Sequence, residues 1–220
     1  MLNSAEHYFN EQPQTKRGVE RCIALLNTAA ELFVQKGYEA VSLDDIVQHA
    51  GGSKASIYKF FGSKDGLFKA ICDYKRKICF EEIYSNTHCD ELDIRTFFTT
   101  ILQNVYTYLM HQENIQFLRL LLERANLDPE LANYLYDNGP QHVLTDICQS
   151  LIRATEQGLI VCEHPEHSAK MLLGSVWHFE WQMLMGAVQQ QSPEEINAYI
   201  HYSVKYFLKA HEYKQFFDFE

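Results

Sequence analysis

Residues 42–68 read SLDDIVQHAGGSKASIYKFFGSKDGLF, and this stretch decides the fold. Ser42 followed three residues later by an acid resembles a capping box, with Asp45 where Glu is usual. It opens a short helix over Leu43–Ala50, which Gly51-Gly52 ends. Ser53 caps a second helix running from Lys54 to Phe60 or Phe61. Gly62 breaks it, and Ser63 caps a third that starts at Lys64-Asp65. Punctuation this dense is that of a helix-turn-helix, the two glycines permitting the positive φ of a tight interhelical turn. Ile46, Val47, Ala50, Ile57, Phe61, Leu67 and Phe68 form the inner, apolar side. The outer side carries Lys54, Ser56, Tyr58 and Lys59: two cations, a hydroxyl and a phenol, groups that grip phosphates and read groove edges.

Upstream, Cys22, Ile23, Leu25, Leu26, Ala29, Ala30, Leu32 and Phe33 recur at helical spacing and predict a helix from about Thr15 to Lys36, stopped at Gly37. Downstream the punctuation thins. Helices are expected near 94–111, 114–126, 129–137, 140–157, 166–188 and 193–213, with Pro129, Pro165 and Pro193 next to or within first turns. The fold class is all-α, with about nine helices. Residues 1–13 are a tail, 14–63 a three-helix helix-turn-helix domain, 64–77 a connecting helix, and 78–220 a helical domain.

The quoted stretch resembles the DNA-binding domain of the TetR/AcrR family of bacterial transcriptional regulators. The residues that carry the likeness are Ser42, Ile46-Val47, Ala50-Gly51, Ser53, Tyr58, Phe60-Phe61 and Ser63-Lys64-Asp65-Gly66-Leu67. Ala29, Leu32, Phe33, Gly37 and Tyr38 continue it back through the first helix. Three positions depart from the family pattern: Gly52 stands where Val is usual, Ala55 where Gly is frequent, and Phe60 where His or Tyr is common. Ala55 is of a size to touch a thymine methyl, whereas Phe60 has no group to donate to a phosphate. By position, the resemblance implies base contacts from Lys54, Ala55 and Ser56. It implies phosphate contacts from Ser42, Ser53, Tyr58, Lys59 and Lys64. Lys16 and Arg17, just before the first helix, are placed to reach backbone or minor groove as an arm does. The plainer reading of Ser42 and Ser53 is that they are helix caps, and of the lysines that they are a solvated face.

Beyond the connecting helix, Phe117 to Arg124 with Asp128-Pro129-Glu130-Leu131 is similar to the AefR-like subgroup of C-terminal domains. The family likeness implies that this part binds a small-molecule effector, of unknown identity, and forms a homodimer through the last two long helices. It implies double-stranded operator DNA as the partner. A pocket between these helices has Tyr106, Phe117, Leu121, Trp177, His178, Trp181 and Met185 as candidate lining, with Arg119 or Glu123 as an orienting polar group. The stripe Met171, Leu172, Gly174, Ser175, Trp177, His178, Trp181 and Met185 is equally open to reading as dimer face or as core.

Composition bounds these readings. The 220 residues carry a formal net charge of −10, which argues against a general polyanion binder. The charge is uneven: −2 over residues 1–13, +4 over 14–77 and −12 over 78–220. Residues 1–14 lack the basic start and apolar stretch of a signal peptide, and no apolar run reaches the roughly 20 residues of a membrane span, so a cytoplasmic protein with no membrane partner is expected. Six cysteines form no CxxC pair. Cys162-Glu163-His164 with His167, and His88-Cys89 beside them, match no common zinc spacing, so no metal or cofactor is expected. No phosphate-binding Gly-rich loop, GxSxG or HExxH suggests an enzyme. The alternative is a helical interaction protein that uses the helix-turn-helix face for a protein partner.

Overall fold

The structure is a computed structural model, and it describes residues 9–85, 93–187 and 191–214. The described residues form ten α-helices. These are α1 (Lys16–Lys36), α2 (Leu43–Ala50), α3 (Lys54–Phe61), α4 (Lys64–Ile83), α5 (Ile94–Met110), α6 (Gln112–Leu127), α7 (Pro129–Asn138), α8 (Pro140–Glu156), α9 (Pro165–Leu184) and α10 (Pro193–Ala210). Only Gly139 separates α7 from α8, two helices that the sequence already predicts apart.

Two compact units emerge. The first comprises the described residues up to Phe80 together with Gln116–Leu127; the second comprises Glu81–Ile115 and the described residues from Asp128 onward. The stretch Gln116–Leu127 lies in the sequence span expected to be purely the second domain. It joins the first unit because Arg124 is anchored there, as described below.

The first unit is built on local capping. Thr15 accepts from the Gly18 amide at 3.1 Å and starts α1. Ser42 and Asp45 form the reciprocal capping box of α2, and the Ser42 hydroxyl and amide hold the Asp45 carboxyl below the usual range. Ser53 accepts from the Ser56 amide at 3.2 Å, and Ser63 from the Gly66 amide at 2.9 Å. Each cap contributes about 1 kcal/mol by satisfying an amide that the helix leaves unpaired. Gly51 and Gly52 turn the chain between α2 and α3 at φ 74° and 108°. At Gly66 a β-carbon would stand 1.9 Å from the Phe61 carbonyl oxygen, so only glycine lets α4 start this close to the end of α3.

The unit's core is Leu25, Leu26, Phe33, Ile46, Ile57, Leu67, Phe68 and Ile71, all fully buried. Burying side chains of this size contributes roughly 1.5–3 kcal/mol each before entropy. Phe33, Tyr38 and Phe68 form an aromatic triad with centroids 5.0–5.9 Å apart. Within the unit α1 packs on α2, and α2 on α3.

In the second unit α9 packs against α8, α5 and α10, α10 against α5, and α7 against α8. Phe98, Ile101, Leu102, Ile147, Leu151, Val176, Phe179, Val204 and Leu208 fill its core. α9 ends at Leu184, before the expected Val188, because Gly186 at φ 81° caps it; Val188 itself lies outside the described residues. α10 ends at Ala210, where Glu212 at φ 52° turns the chain. A buried chain of hydrogen bonds closes this end. The Cys162 thiol donates to Ser168 Oγ at 3.4 Å, and the Ser168 hydroxyl donates to His211 Nε2 at 2.9 Å. His211 Nδ1 donates to the Phe207 carbonyl at 2.8 Å. A carbonyl only accepts, so this last bond fixes the tautomer. Among the described residues, no helix is long and apolar enough to cross a membrane.

Candidate nucleic-acid interface

The α3 helix is eight residues long and two of its residues, Ile57 and Phe61, are buried. That pins its rotation, because 3.6-residue periodicity then turns Lys54, Ala55, Tyr58 and Lys59 outward; all four are exposed. Tyr58 is 55% exposed, a large aromatic left in solvent with its phenol free to donate. Ser53 is also exposed, and its hydroxyl lies 3.1 Å from that of the half-buried Ser56, so both belong to the N-terminal cap. Phe60 is half-buried. Ser42, Lys16 and Arg17 are exposed as well. Ser42 opens α2, while Lys16 and Arg17, expected just before the first helix, form its first turn, because Thr15 is the N-cap.

The lysines are not equivalent. Lys54 Nζ is 3.0 Å from the Asp44 carboxylate, and Lys59 Nζ is 3.1 Å from that of Glu11. Glu11 arrives on an arm pinned to α3: the Asn10 amide donates to the Phe60 carbonyl at 2.6 Å, and the Phe9 ring lies 5.7 Å from that of Phe61. Lys64 is half-buried, with its ammonium 4.2 Å from the Tyr38 ring centroid and 5.8 Å from that of Phe33. Burial holds the Lys64 ammonium below the usual lysine range.

Tyr38 is the centre of a further cluster. Its hydroxyl donates to Asp65 Oδ1 at 2.5 Å, and burial, reinforced by that bond, pushes its phenol well above the usual range. The Arg124 guanidinium lies 4.0 Å from the Tyr38 ring centroid. Its Nη1 is 3.0 Å from Glu39 Oε1 and its Nη2 3.5 Å from Asp65 Oδ1. Its Nε is buried without a hydrogen-bond partner. No sequence signal points to this cluster, because Arg124 and Glu39 are 85 residues apart. Asp44 and Glu11 likewise read as a helix-start acid and a tail acid, and only the fold sets them against lysines.

The candidate effector residues divide between the units. Phe117, Arg119, Leu121 and Glu123 lie on the α6 stretch of the first unit; Phe117 is buried, and the Lys75 ammonium is 6.0 Å from its ring centroid. Tyr106, Trp177, His178, Trp181 and Met185 lie in the second unit. Tyr106 meets the Phe179 ring edge-on at 5.4 Å, and His178 lies 4.2 Å from the same ring. Trp181 on α9 and Met185 just after it are 65% and 71% exposed, so they face solvent. None of these residues lines the open cleft of about 380 Å³ formed by Thr28, Glu31, Leu32, Gln35, Lys36 and His49. Cys162, His164 and His167 form no metal-ligating group, and none exists among the described residues. His88 and Cys89 lie outside the described residues.

Comparison with known proteins adds a lineage to this geometry. A family model described as "Bacterial regulatory proteins, tetR family" matches residues 25–71. A second, "AefR-like transcriptional repressor, C-terminal domain", matches residues 97–213, more than half of the chain. The HTH-type transcriptional repressor ComR of Escherichia coli K12 is 46% identical over 50 residues, which are 23% of this chain and 24% of ComR. A solved structure of a TetR-family transcriptional regulator from Mesorhizobium loti superposes with a TM-score of 0.78 at 24% identity, covering 89% of this chain and 98% of that one. AibR, solved with isovaleryl coenzyme A and operator DNA, superposes with a TM-score of 0.60 at 22% identity, covering 82% and 96%.

Proposed function

Because the chain belongs to the tetR family of bacterial regulatory proteins, and is a DNA-binding regulator rather than an enzyme, we propose that it is a cytoplasmic repressor whose homodimer grips a palindromic operator and lets go when a small-molecule effector binds. The observation that carries this reading is the outer face of α3, where Lys54, Ala55 and Tyr58 stand exposed on a helix whose rotation is fixed by Ile57 and Phe61. One such helix reads few base pairs, and two-fold pairing doubles the site. The exposed Met171 and Trp181 of α9, Met185 at its C-terminal cap, and Tyr199, Tyr202 and Tyr206 of α10 supply the apolar and aromatic surface that subunit interfaces favour. Lys54, Ala55 and Ser56 meet bases; Ser42, Ser53, Tyr58, Lys59 and Lys64 meet phosphates, with Lys16 and Arg17 beside them.

The effector site is assigned to the helices of the second unit, around Tyr106, Trp177 and His178. AibR, a protein of the same fold, was solved with both an acyl coenzyme A and operator DNA. The helix α4 runs covalently from the first unit into the second, and its tilt is the means by which an effector alters the separation of the two α3 helices. An effector that favours another separation releases DNA by its differential affinity for the two states alone.

The test is an electrophoretic shift of the chain's own upstream duplex across a salt series. Specific binding falls linearly in log affinity against log salt as counterions leave the phosphates. A flat response, with capture of a protein partner instead, replaces this reading with that of a protein-interaction module.

A further inference from the structure

Asp44 is the second residue of α2, and its carboxylate meets the ammonium of Lys54, the first residue of α3, at 3.0 Å. Both side chains are exposed, on the face that also carries Tyr58 and the Lys59–Glu11 pair. A carboxylate carried into a groove is opposed by the phosphates on both sides unless it finds a donor there. The donors that major-groove base edges present are the amino groups of cytosine N4 and adenine N6.

Each base pair sets its amino donor against a carbonyl acceptor of the partner base, hydrogen-bonded to one another and so about 2.9 Å apart. The Lys54–Asp44 pair is the complement of that arrangement: a donor and an acceptor 3.0 Å apart. The order of groups along the groove edge chooses between pairs. In G·C the edge runs guanine N7, guanine O6, cytosine N4: two acceptors for the ammonium, then a donor for the carboxylate. In A·T the ammonium meets thymine O4 beside the methyl group, and the carboxylate reaches adenine N6 beside N7, a second acceptor that repels it.

We propose that Lys54 and Asp44 together read one G·C pair in each half-site, Lys54 donating to guanine O6 and N7 and Asp44 accepting from cytosine N4. Asp44 is then a specificity-determining residue contributed by α2. This inference rests on the DNA-binding reading of the α3 face.

The experiment is enrichment of random double-stranded DNA by the full chain at fixed salt, comparing wild type with Asp44→Ala, Asp44→Asn and Lys54→Ala. Wild type should fix a G·C pair in each half-site. Asp44→Ala should weaken that preference about tenfold while leaving the other positions unchanged. Lys54→Ala should weaken the same pair. Asp44→Asn, whose amide both accepts and donates, should broaden it to admit A·T. An Asp44→Ala profile identical to wild type at every position overturns the proposal. So does a uniform rise in affinity for all duplexes with no loss of preference, since Asp44 then merely repels phosphate. If wild type enriches no sequence, the operator reading fails and this inference falls with it. If wild type enriches a half-site that the Asp44 variants leave intact, only this inference fails.

Discussion

Two ion pairs in the first unit share a separation of 3.0 Å and an exposed carboxylate, and differ in the burial of the cation. The Lys54–Asp44 pair has side chains 50% and 75% exposed. In the Arg124–Glu39 pair the arginine side chain is 14% exposed and the glutamate 79%, with the guanidinium 4.0 Å from the Tyr38 ring centroid and shared with Asp65. Distance alone therefore says little about what a pair does. An exposed pair is screened by solvent and contributes about 0–1 kcal/mol to folding. Its groups remain available to another partner. A guanidinium whose stem and face are packed contributes through contact and through the carboxylates it serves, and is not available to a ligand. The front of the unit is built for exchange and the Tyr38 cluster for permanence.

The sharpest way to break this contrast is at the front. Lys54→Ala combined with Tyr58→Phe removes a cation and a phenol, and should lower operator affinity about a hundredfold. The urea unfolding midpoint should not move. Undiminished binding in a shift assay would mean that α3 meets DNA through other groups. The next effect belongs to Arg124. Arg124→Ala empties the space over Tyr38 and should cost about 2 kcal/mol in urea unfolding, through lost packing rather than lost charge. Arg124→Met, which restores the stem and dispenses with the unpartnered Nε, should recover most of that loss. If Arg124→Ala unfolds like wild type, the two pairs are energetically alike and the contrast collapses. Smaller still is Asp44→Ala, expected to change stability by less than about 0.5 kcal/mol. A larger fall would make Asp44 a folding residue.

Burial without exchange has a second example in the second unit. Burial holds the Glu180 carboxyl above the usual range. The folded protein therefore keeps a proton that the unfolded chain has already released. That contribution is present at low pH and lost as pH rises through the raised value. Stability compared at about pH 5 and about pH 8 should show this decline in wild type, and Glu180→Gln should flatten it. An unchanged slope in the variant would assign the decline to other groups.

The helices of the first unit were legible in the sequence because their signals are local. Ser42, Ser53 and Ser63 each lie three residues from the amide they accept, and Gly51, Gly52 and Gly62 fall where the helices stop. The outward set on α3 was legible for the same reason, since Ile57 and Phe61 fix the rotation. What escaped is pairing across elements. Asp44 meets Lys54 because a two-glycine turn folds α3 onto α2, and Arg124 reaches Tyr38 from 86 positions downstream; no periodicity encodes either. The aromatic candidates on α9 show the converse difficulty. Trp177 is half-buried while Trp181, one turn on, is exposed, and a stripe of alternating residues does not say which of its members faces a neighbour.

The attachment of Gln116–Leu127 to the first unit also sets an order of events in biosynthesis. The reading head is not continuous in the chain: Phe80 is made 47 residues before Leu127. At roughly 5–20 residues per second, Arg124 is made some seconds after the last residue of α4. During that interval Tyr38 has no guanidinium over its ring, and Glu39 and Asp65 lack this partner. The completion of the unit thus waits on a segment that is made only after α5.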